Sequence, residues 1–285
     1  MPYPTVPAPY GLKPINLVGG QVFAGGIRQY PIQYGYATNI FYGDFVKVSA
    51  SAPGGMLVRA AIGATTSSNA YTGIFLGCTY TNPTTKQKTF SQYWPASTLA
   101  GDATAYVCED PDTIFKAVVC SSGTTVASGA PSMIGNNLSM IDNSTGNVNT
   151  GNSSNAILAP TATPVTSILP VRCVGVVDDT SYSYTATGSS STTTITLTGT
   201  GLPGAIPIGT NVSYLAANGQ VIQTGSFVTA AAAAGATSVT INAQPNVLGS
   251  GTNIGASSTI IFTVYPEILV KPNLLSHGYY SSTTA

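Results

Sequence analysis

The chain has 285 residues, of which only nine are Lys or Arg and nine are Asp or Glu, so its formal net charge is zero. Charged residues make up 6% of the chain, compared with about a quarter of an average soluble domain. Acid–base catalysis, metal ligation and nucleic-acid capture all draw on charged or titratable side chains, so this composition argues against those functions. We predict a structural protein that is not an enzyme and uses no cofactor or metal.

The first 38 residues are rich in Pro, Gly and Tyr, with prolines at positions 2, 4, 7, 9 and 14. Proline fixes φ and lacks an amide hydrogen, so residues 1–38 are predicted to form an extended arm rather than a helix. We expect the arm to dock on a neighbouring subunit; the alternative is that it packs on its own domain. The candidate partner-binding residues are Tyr3, Tyr10, Lys13, Tyr30, Tyr34 and Tyr36. Because neither a basic nor an apolar region of a signal peptide is visible, we expect no targeting segment.

Short runs of β-branched and aromatic residues begin at residue 39 and predict an all-β fold. Their regular spacing is typical of a small barrel or sandwich. The polar stretch that follows predicts one strand at 133–142 and, from its Asn, Ser and Gly content, a mobile loop at 143–155. The predicted strands before it are 39–50, 56–62, 72–81, 86–95, 103–110 and 113–119, and a further one follows at 167–179.

Residues 180–258 differ from the rest, because they contain no Asp, Glu, Lys or Arg at all. Alternating Thr and apolar residues predict half-buried strands at 192–199 and 236–243. Asn218-Gly219, set between two strand-like runs, is a strong hairpin signal. Charged, proline-flanked sequence returns after this stretch. We therefore predict a chain of three parts: the arm, a barrel or sandwich formed by 39–179 plus 259–285, and an inserted, outward-facing β-domain at 180–258.

The titratable residues do not form a recognisable reaction centre. His277 is the only histidine, and no GxSxG nucleophile motif accompanies it. Glu109, Asp110 and Asp112 form an acidic cluster, which we interpret as a solvated turn, because a calcium site needs about six or more oxygen ligands. Lys86 and Lys88 are too few for a nucleic-acid platform, and we expect a packed hairpin there.

The four cysteines, Cys78, Cys108, Cys120 and Cys173, lie in apolar, strand-like runs and include no CxxC pair. We expect buried, reduced thiols rather than a zinc site, although their even number also permits disulfides. No apolar run reaches the roughly 18 residues that a membrane-spanning helix needs, so we expect no membrane partner.

Two neighbouring segments carry a resemblance to a known family. GIFLGCTYTNPTTKQKTFSQYWPA (73–96) and DATAYVCEDPDTIF (102–115) resemble the capsid cement, or decoration, proteins of tailed bacteriophages, chiefly through Tyr93-Trp94-Pro95 and Asp110-Pro111. LPVRCVGVVDD (169–179) and YPEILVKPN (265–273) resemble the closing strands of the same unit. The likeness covers about half of the chain and leaves out the arm and residues 180–258.

The resemblance implies a non-enzymatic virion protein that is added to the outer surface of an icosahedral head, commonly as a homotrimer. Its partners would be the major capsid protein and copies of itself, with no direct contact to nucleic acid, and assembly would take place in the host cytoplasm. The alternative is a head or tail fibre, or an adhesin, with 180–258 as the binding head. An enzyme such as a cell-wall hydrolase would need a paired-carboxylate or Cys/His site that the sequence does not display.

Overall fold

The computed structural model describes residues 6–49, 54–63, 71–160, 169–216, 218–243 and 254–273. These residues are organised in short strands, with one single-turn 3-10 helix at Pro131–Met133, so the predicted all-β class is confirmed. The strands in chain order are β1 (Lys13–Leu17), β2 (Ile27–Pro31), β3 (Phe45–Val48), β4 (Leu57–Arg59), β5 (Gly73–Thr81), β6 (Lys88–Ser91), β7 (Thr104–Cys108), β8 (Thr113–Ser122), β9 (Thr125–Val126) and β10 (Asn137–Leu138). They continue with β11 (Met140–Ile141), β12 (Ala156–Leu158), β13 (Val171–Val176), β14 (Tyr182–Ser190), β15 (Thr194–Leu197), β16 (Asn211–Leu215), β17 (Val221–Phe227), β18 (Ser238–Thr240), β19 (Ile254–Val264) and β20 (Glu267–Pro272).

The first sheet, in the order β2-β7-β5-β3-β4, curls into a nearly closed barrel. A β-bridge between Ile32 and Leu57 brings its two edges together. Alternate residues of each strand point inward, as Ala105 and Val107 do in β7, because side chains of a strand alternate between its faces. Trp94 fills the centre of the barrel, fully buried. A barrel is thus present, as predicted, but it includes β2 from the N-terminal segment, whereas β13 and β20 lie in another sheet.

A second sheet covers one side of the barrel, with the order β10-β13-β20-β8-β12-β11 and with β1 and β9 also paired to β8. Phe45 and Ile74 from the barrel strands meet Phe115 and Ile268 from this sheet in one continuous apolar core. The Phe45 ring meets the Tyr71 ring edge-on, with 4.7 Å between centroids. The barrel and the second sheet therefore share a core and form one unit.

The strand predicted at 133–142 differs from the structure. The 3-10 helix ends at Met133, the first residue of this range, and two short strands follow that pair with different neighbours, β10 with β13 and β11 with β12. Each of these strands is only two residues long, so no sustained alternation exists for a sequence pattern to detect. The chain changes direction between these two strands, and the polar composition of the region gave no sign of that change.

The third sheet forms the inserted module, in the order β17-β16-β19-β14-β15-β18. A bridge between Val228 and Ile241 links the two edges of this sheet. The predicted hairpin is present, since β16 pairs with β17 across Asn218-Gly219 and Gly219 adopts a φ of +81°. The module emerges between β13 and β20, which are themselves antiparallel neighbours.

The C-terminal boundary predicted for the module at 258 is corrected by the structure. β19 continues to Val264 and pairs along its length with β14, from Tyr182↔Val264 to Ser190↔Ile254. Ile260, Phe262 and Val264 are buried, the first two in the core of the module. The chain returns to the second sheet only at Glu267, because Pro266 cannot continue the ladder of β19. Residues 259–264 therefore belong to the module and not to the barrel-containing unit.

The module is docked on the first unit and is not a free appendage. Phe227, at the end of β17, is buried in the core that the barrel and the second sheet share. The Ser128 amide donates a hydrogen bond of 2.8 Å to the Ile208 carbonyl. At Gly209, a Cβ would collide with the Ser128 carbonyl oxygen, so this close approach requires glycine. The outward orientation of the module relative to a capsid stays a prediction.

In its described part, 6–38, the N-terminal segment packs on its own domain, which is the alternative that the sequence left open. β1 pairs antiparallel with β8, and β2 pairs antiparallel with β7. Leu12 is fully buried in the shared core. The segment is therefore not a free arm over these residues. Strand pairing satisfies its backbone groups and covers sheet edges that would otherwise be exposed.

The corrected boundary yields a prediction about module removal. Deleting 180–264 and joining Asp179 to Tyr265 through a short Gly/Ser linker should give a folded protein, because the Val177 amide already bonds the Glu267 carbonyl at 3.2 Å. Its stability should be lower than that of the full chain, because Phe227 is lost from the shared core. Deleting only 180–258 leaves half of β19 without partner strands and should give aggregates. The soluble fraction and the thermal unfolding midpoint measure the difference. Equal solubility of the two deletions, or the reverse order, would contradict the boundary at Val264.

Candidate interaction surfaces

A buried charged cluster joins the barrel to the loop 143–155. Oδ1 of Asp44 accepts hydrogen bonds from Ser153 Oγ at 2.6 Å and Asn155 Nδ2 at 3.0 Å. Its Oδ2 accepts from the Phe41 amide at 2.9 Å and lies 3.4 Å from Arg59 Nε. The remaining guanidinium nitrogens of Arg59 pair with Asp142.

Burial and the neighbouring groups have opposing effects on the pKa of Asp44. Burial raises the pKa of Asp44, and the adjacent Arg59 guanidinium and the hydrogen bonds from Ser153 and Phe41 oppose that rise. The loop that we predicted to be mobile is fastened at this point, since the Ser153 amide also bonds the Tyr42 carbonyl at 2.9 Å. The cluster therefore has a structural role, as an attachment between separate segments of the chain.

A second cluster attaches the N-terminal segment to the second sheet. The Tyr10 hydroxyl donates to Glu267, and burial, followed by this bond, raises the pKa of Tyr10. Lys116 Nζ lies 3.4 Å from the other Glu267 oxygen. Lys13 Nζ lies 4.3 Å from the centroid of the Tyr10 ring, a cation–π contact. Two of the predicted partner-binding residues, Tyr10 and Lys13, are thus engaged within the chain.

A third cluster attaches β2 to Glu109, the residue that follows β7. The Tyr30 hydroxyl donates to Glu109, whose carboxylate also lies 3.4 Å from Arg28 Nη1. Burial raises the pKa of Tyr30 to about 12, with the Glu109 bond adding to the effect. Tyr36 is engaged too: its hydroxyl accepts from the Arg59 amide at 3.1 Å.

Of the five predicted partner-binding residues that the structure describes, only Tyr34 is mostly exposed to solvent, at 59%. Tyr3 lies outside the described residues. Leu99 is also largely exposed, and it approaches the same turn, since a Cβ at Gly35 would lie 3.4 Å from Leu99 Cδ2. Tyr34 and Leu99 therefore mark one exposed apolar patch at an end of the barrel.

The acidic cluster and the cysteines are mostly as expected. Asp110 caps its own turn by accepting from the Asp112 amide at 2.9 Å, whereas Glu109 is buried against Tyr30 rather than solvated.

The four cysteines are free and buried. Burial raises the pKa of Cys78 and Cys120 to about 12 and that of Cys173 to about 11, which makes these thiols poor nucleophiles. Over the described residues no group of three or more His, Cys, Asp or Glu could hold a metal ion, and His277 falls outside them.

An apolar loop, residues 17–27, projects from the segment between β1 and β2. It contains no charged residue, and the side chains of Val18 and Val22 are 48% and 80% exposed. Gly19 and Gly20 adopt φ of +91° and +82°, and a Cβ at either would meet nothing within 4 Å, so the turn extends into solvent. This surface was not among the predicted sites, which were tyrosines and a lysine; its signal in the sequence is an uncharged run that contains Val22 between the pairs Gly19-Gly20 and Gly25-Gly26.

An apolar cleft of about 730 Å³ lies where the module meets the second sheet. Val6, Pro7 and Val126 line it from the first unit, and Ile206, Ala232 and Ala233 line it from the module. The cleft has no charged side chain in its lining. The cleft, like the apolar loop, is suited to apolar contacts and offers nothing for acid–base chemistry.

In comparisons with known proteins, no family model matches this chain, and no curated protein or solved structure is significantly similar to it. A search of the described residues finds no helix of the length and hydropathy required to cross a membrane.

Proposed function

We propose that this chain is a structural virion protein, a capsid cement protein that binds the outside of an icosahedral phage head and clamps adjacent capsomers. Its partners are the major capsid protein and further copies of itself. The observation that carries the proposal is the contrast between buried charged side chains that attach segments of the chain to one another and apolar side chains that are exposed on uncharged surfaces.

The charged side chains support this proposal by their positions. Asp44, Arg59, Glu109 and Glu267 sit in ion pairs that connect segments distant in the sequence. A side chain that is buried and paired in this way stabilises one arrangement of the chain and is not free to serve a substrate. Buried ion pairs of this kind fit a protein whose function depends on a rigid shape.

The exposed apolar side chains support association. Each square ångström of apolar surface removed from water contributes about 25 cal/mol, and exposed apolar patches commonly mark protein–protein contacts. Contacts between uncharged surfaces also depend little on salt. A protein that binds the assembled shell and not its separated subunits stabilises the assembly by mass action.

The segments that resemble cement proteins have a clear structural role in this chain. Residues 73–96 contain β5 and β6 and place Trp94 at the centre of the barrel, and residues 102–115 contain β7 and the Asp110 turn. Residues 169–179 and 265–273 contain β13 and β20, so the resemblance extends from the barrel into the second sheet. The module and the apolar loop lie outside it.

Copy number in purified particles tests the proposal. Antibodies raised against the purified chain would be used to count its copies per particle, with the major capsid protein as the internal standard. A cement protein is expected in hundreds of copies, and mild denaturant that removes it should lower the temperature at which the particles release DNA. A few to a few dozen copies would instead indicate a fibre or an adhesin, and little or none would exclude a virion role.

A further inference from the structure

The apolar loop and the apolar cleft lie at opposite ends of β8. At its start, Leu17 pairs with Thr113, and the Val18 amide donates to the Asp112 carbonyl at 2.8 Å. At its end, β8 turns into β9, whose Thr125 and Val126 line the cleft. Because β9 folds back along β8, Val126 lies opposite Cys120, seven residue steps of about 3.3 Å from Thr113, a span of roughly 23 Å. The loop of one chain therefore does not reach the cleft of the same chain.

We propose that the apolar loop of one copy of this chain seats in the apolar cleft of the next copy. The inference rests on the proposed function, for which it identifies the contact between copies. Such a contact is head-to-tail: it joins two different surfaces, so each copy offers one loop and one cleft. Repetition of a head-to-tail contact closes into a ring when its rotation allows, which is the symmetry of a trimer.

The loop has the properties of an inserting element. Val18 and Val22 stand on a glycine-containing turn that extends into solvent, and residues 14–27 carry no charge. The base of the turn is held in place, because the Leu17 amide donates to the Gln21 carbonyl at 2.7 Å. A held turn loses little conformational freedom on docking, which favours association.

The cleft has the complementary properties. Its volume of about 730 Å³ lies in the range of cavities that enclose small ligands, enough for the tip of a loop. Its walls come from two units that are docked on each other through Phe227, so the cleft is formed before a partner arrives. Since neither surface carries a charge, no desolvated ion opposes the contact. A second copy is the occupant that supplies an uncharged apolar loop in equal number to the clefts.

Two substitutions separate the halves of the contact. Val22→Asp alters the loop and leaves the cleft intact, whereas Ala233→Asp alters the cleft and leaves the loop intact. Both side chains are exposed, so both variants should fold, which circular dichroism and thermal unfolding check. Val148→Asp, an exposed valine on another loop, is the matched control.

Sedimentation velocity on the purified full-length protein, without capsids, provides the measurement. The wild type and the Val148→Asp control should form the same oligomer, and each of the other two variants alone should be monomeric. An equimolar mixture of Val22→Asp and Ala233→Asp should form a dimer and nothing larger, because only one loop–cleft junction is intact.

Three outcomes would overturn the contact: a monomeric wild type, an oligomer that persists in either variant, or a mixture that stays monomeric. If the cleft instead holds an end of its own chain, Ala233→Asp will leave the oligomer unchanged. Because no capsid is present, a failure here is distinct from a low copy number in particles, which would contradict the proposed function.

Discussion

Replacing Asp44 with Ala should lower the free energy of unfolding by about 3–5 kcal/mol, the range found when one partner of a buried ion pair is removed. The substitution leaves Arg59 buried with one carboxylate fewer, and it removes the acceptor for the donors of Ser153 and Asn155. Unpaired buried donors cost more than the bonds themselves contribute, because they have also lost their contact with water. The loop 143–155 should detach from the barrel.

Urea unfolding followed by the fluorescence of Trp94 measures this effect, since Trp94 is the only tryptophan and lies in the barrel core. Asp102→Ala is the control, because Asp102 forms an exposed ion pair with Lys88 and its loss should leave the midpoint almost unchanged. Asp44→Asn should fall between the two, since it keeps the shape and one acceptor. Equal midpoints for Asp44→Ala and Asp102→Ala would contradict a structural role for the cluster.

The second large effect is an alkaline loss of stability between pH 9 and about 12. Burial raises the pKa of Cys78 from its ordinary value of 9.0 to about 12, and Cys120 and Cys173 behave similarly. Below pH 9 the folded and unfolded chains both hold the thiol protons, so stability does not depend on pH through these groups. Above pH 9 only the folded chain holds them, so the free energy of unfolding falls until the folded pKa is passed.

Each such thiol contributes at most about 1.4 kcal/mol per pH unit over this window. Tyr30 adds a further decline from pH 10 to about 12, because its pKa is also raised in the folded state. Urea unfolding under reducing conditions, followed by circular dichroism at several pH values, gives the slope. Cys78→Ala should make the decline with pH shallower, whereas Val107→Ala, in the same barrel core, should lower stability by a constant amount. A slope that Cys78→Ala leaves unchanged would contradict the assignment.

The distribution of strands could be predicted from the sequence because its signals are local. Alternation within β7 and the Asn218-Gly219 turn act over a few residues, and the backbone responds to them wherever they occur. The change of composition after 179 likewise indicated an inserted unit, which the sheet order shows between β13 and β20. The scarcity of charge is also a property of composition alone.

The strands with which these segments pair could not be predicted in the same way. Whether β1 pairs with β8 or with a neighbouring subunit depends on partners about a hundred residues away, and proline content does not distinguish the two. Similarly, β19 reads as a strand in the sequence, but its assignment to the module depends on its register with β14. The apolar loop and the apolar cleft could not be predicted either, because the sequence does not indicate whether the fold buries an apolar residue or leaves it exposed.

This protein is all-β, poor in charge and interrupted by an uncharged module, and these properties follow from residue types and short-range periodicity, which are visible without any structure. The packing of the sheets, in contrast, shows that the N-terminal segment pairs within its own chain, that Asp44 and Glu267 attach distant segments, and that a loop and a cleft lie towards opposite ends of β8. Such features arise when long-range strand pairing brings residues together, and pairing partners are selected by the complementarity of whole surfaces rather than by any local run of residues.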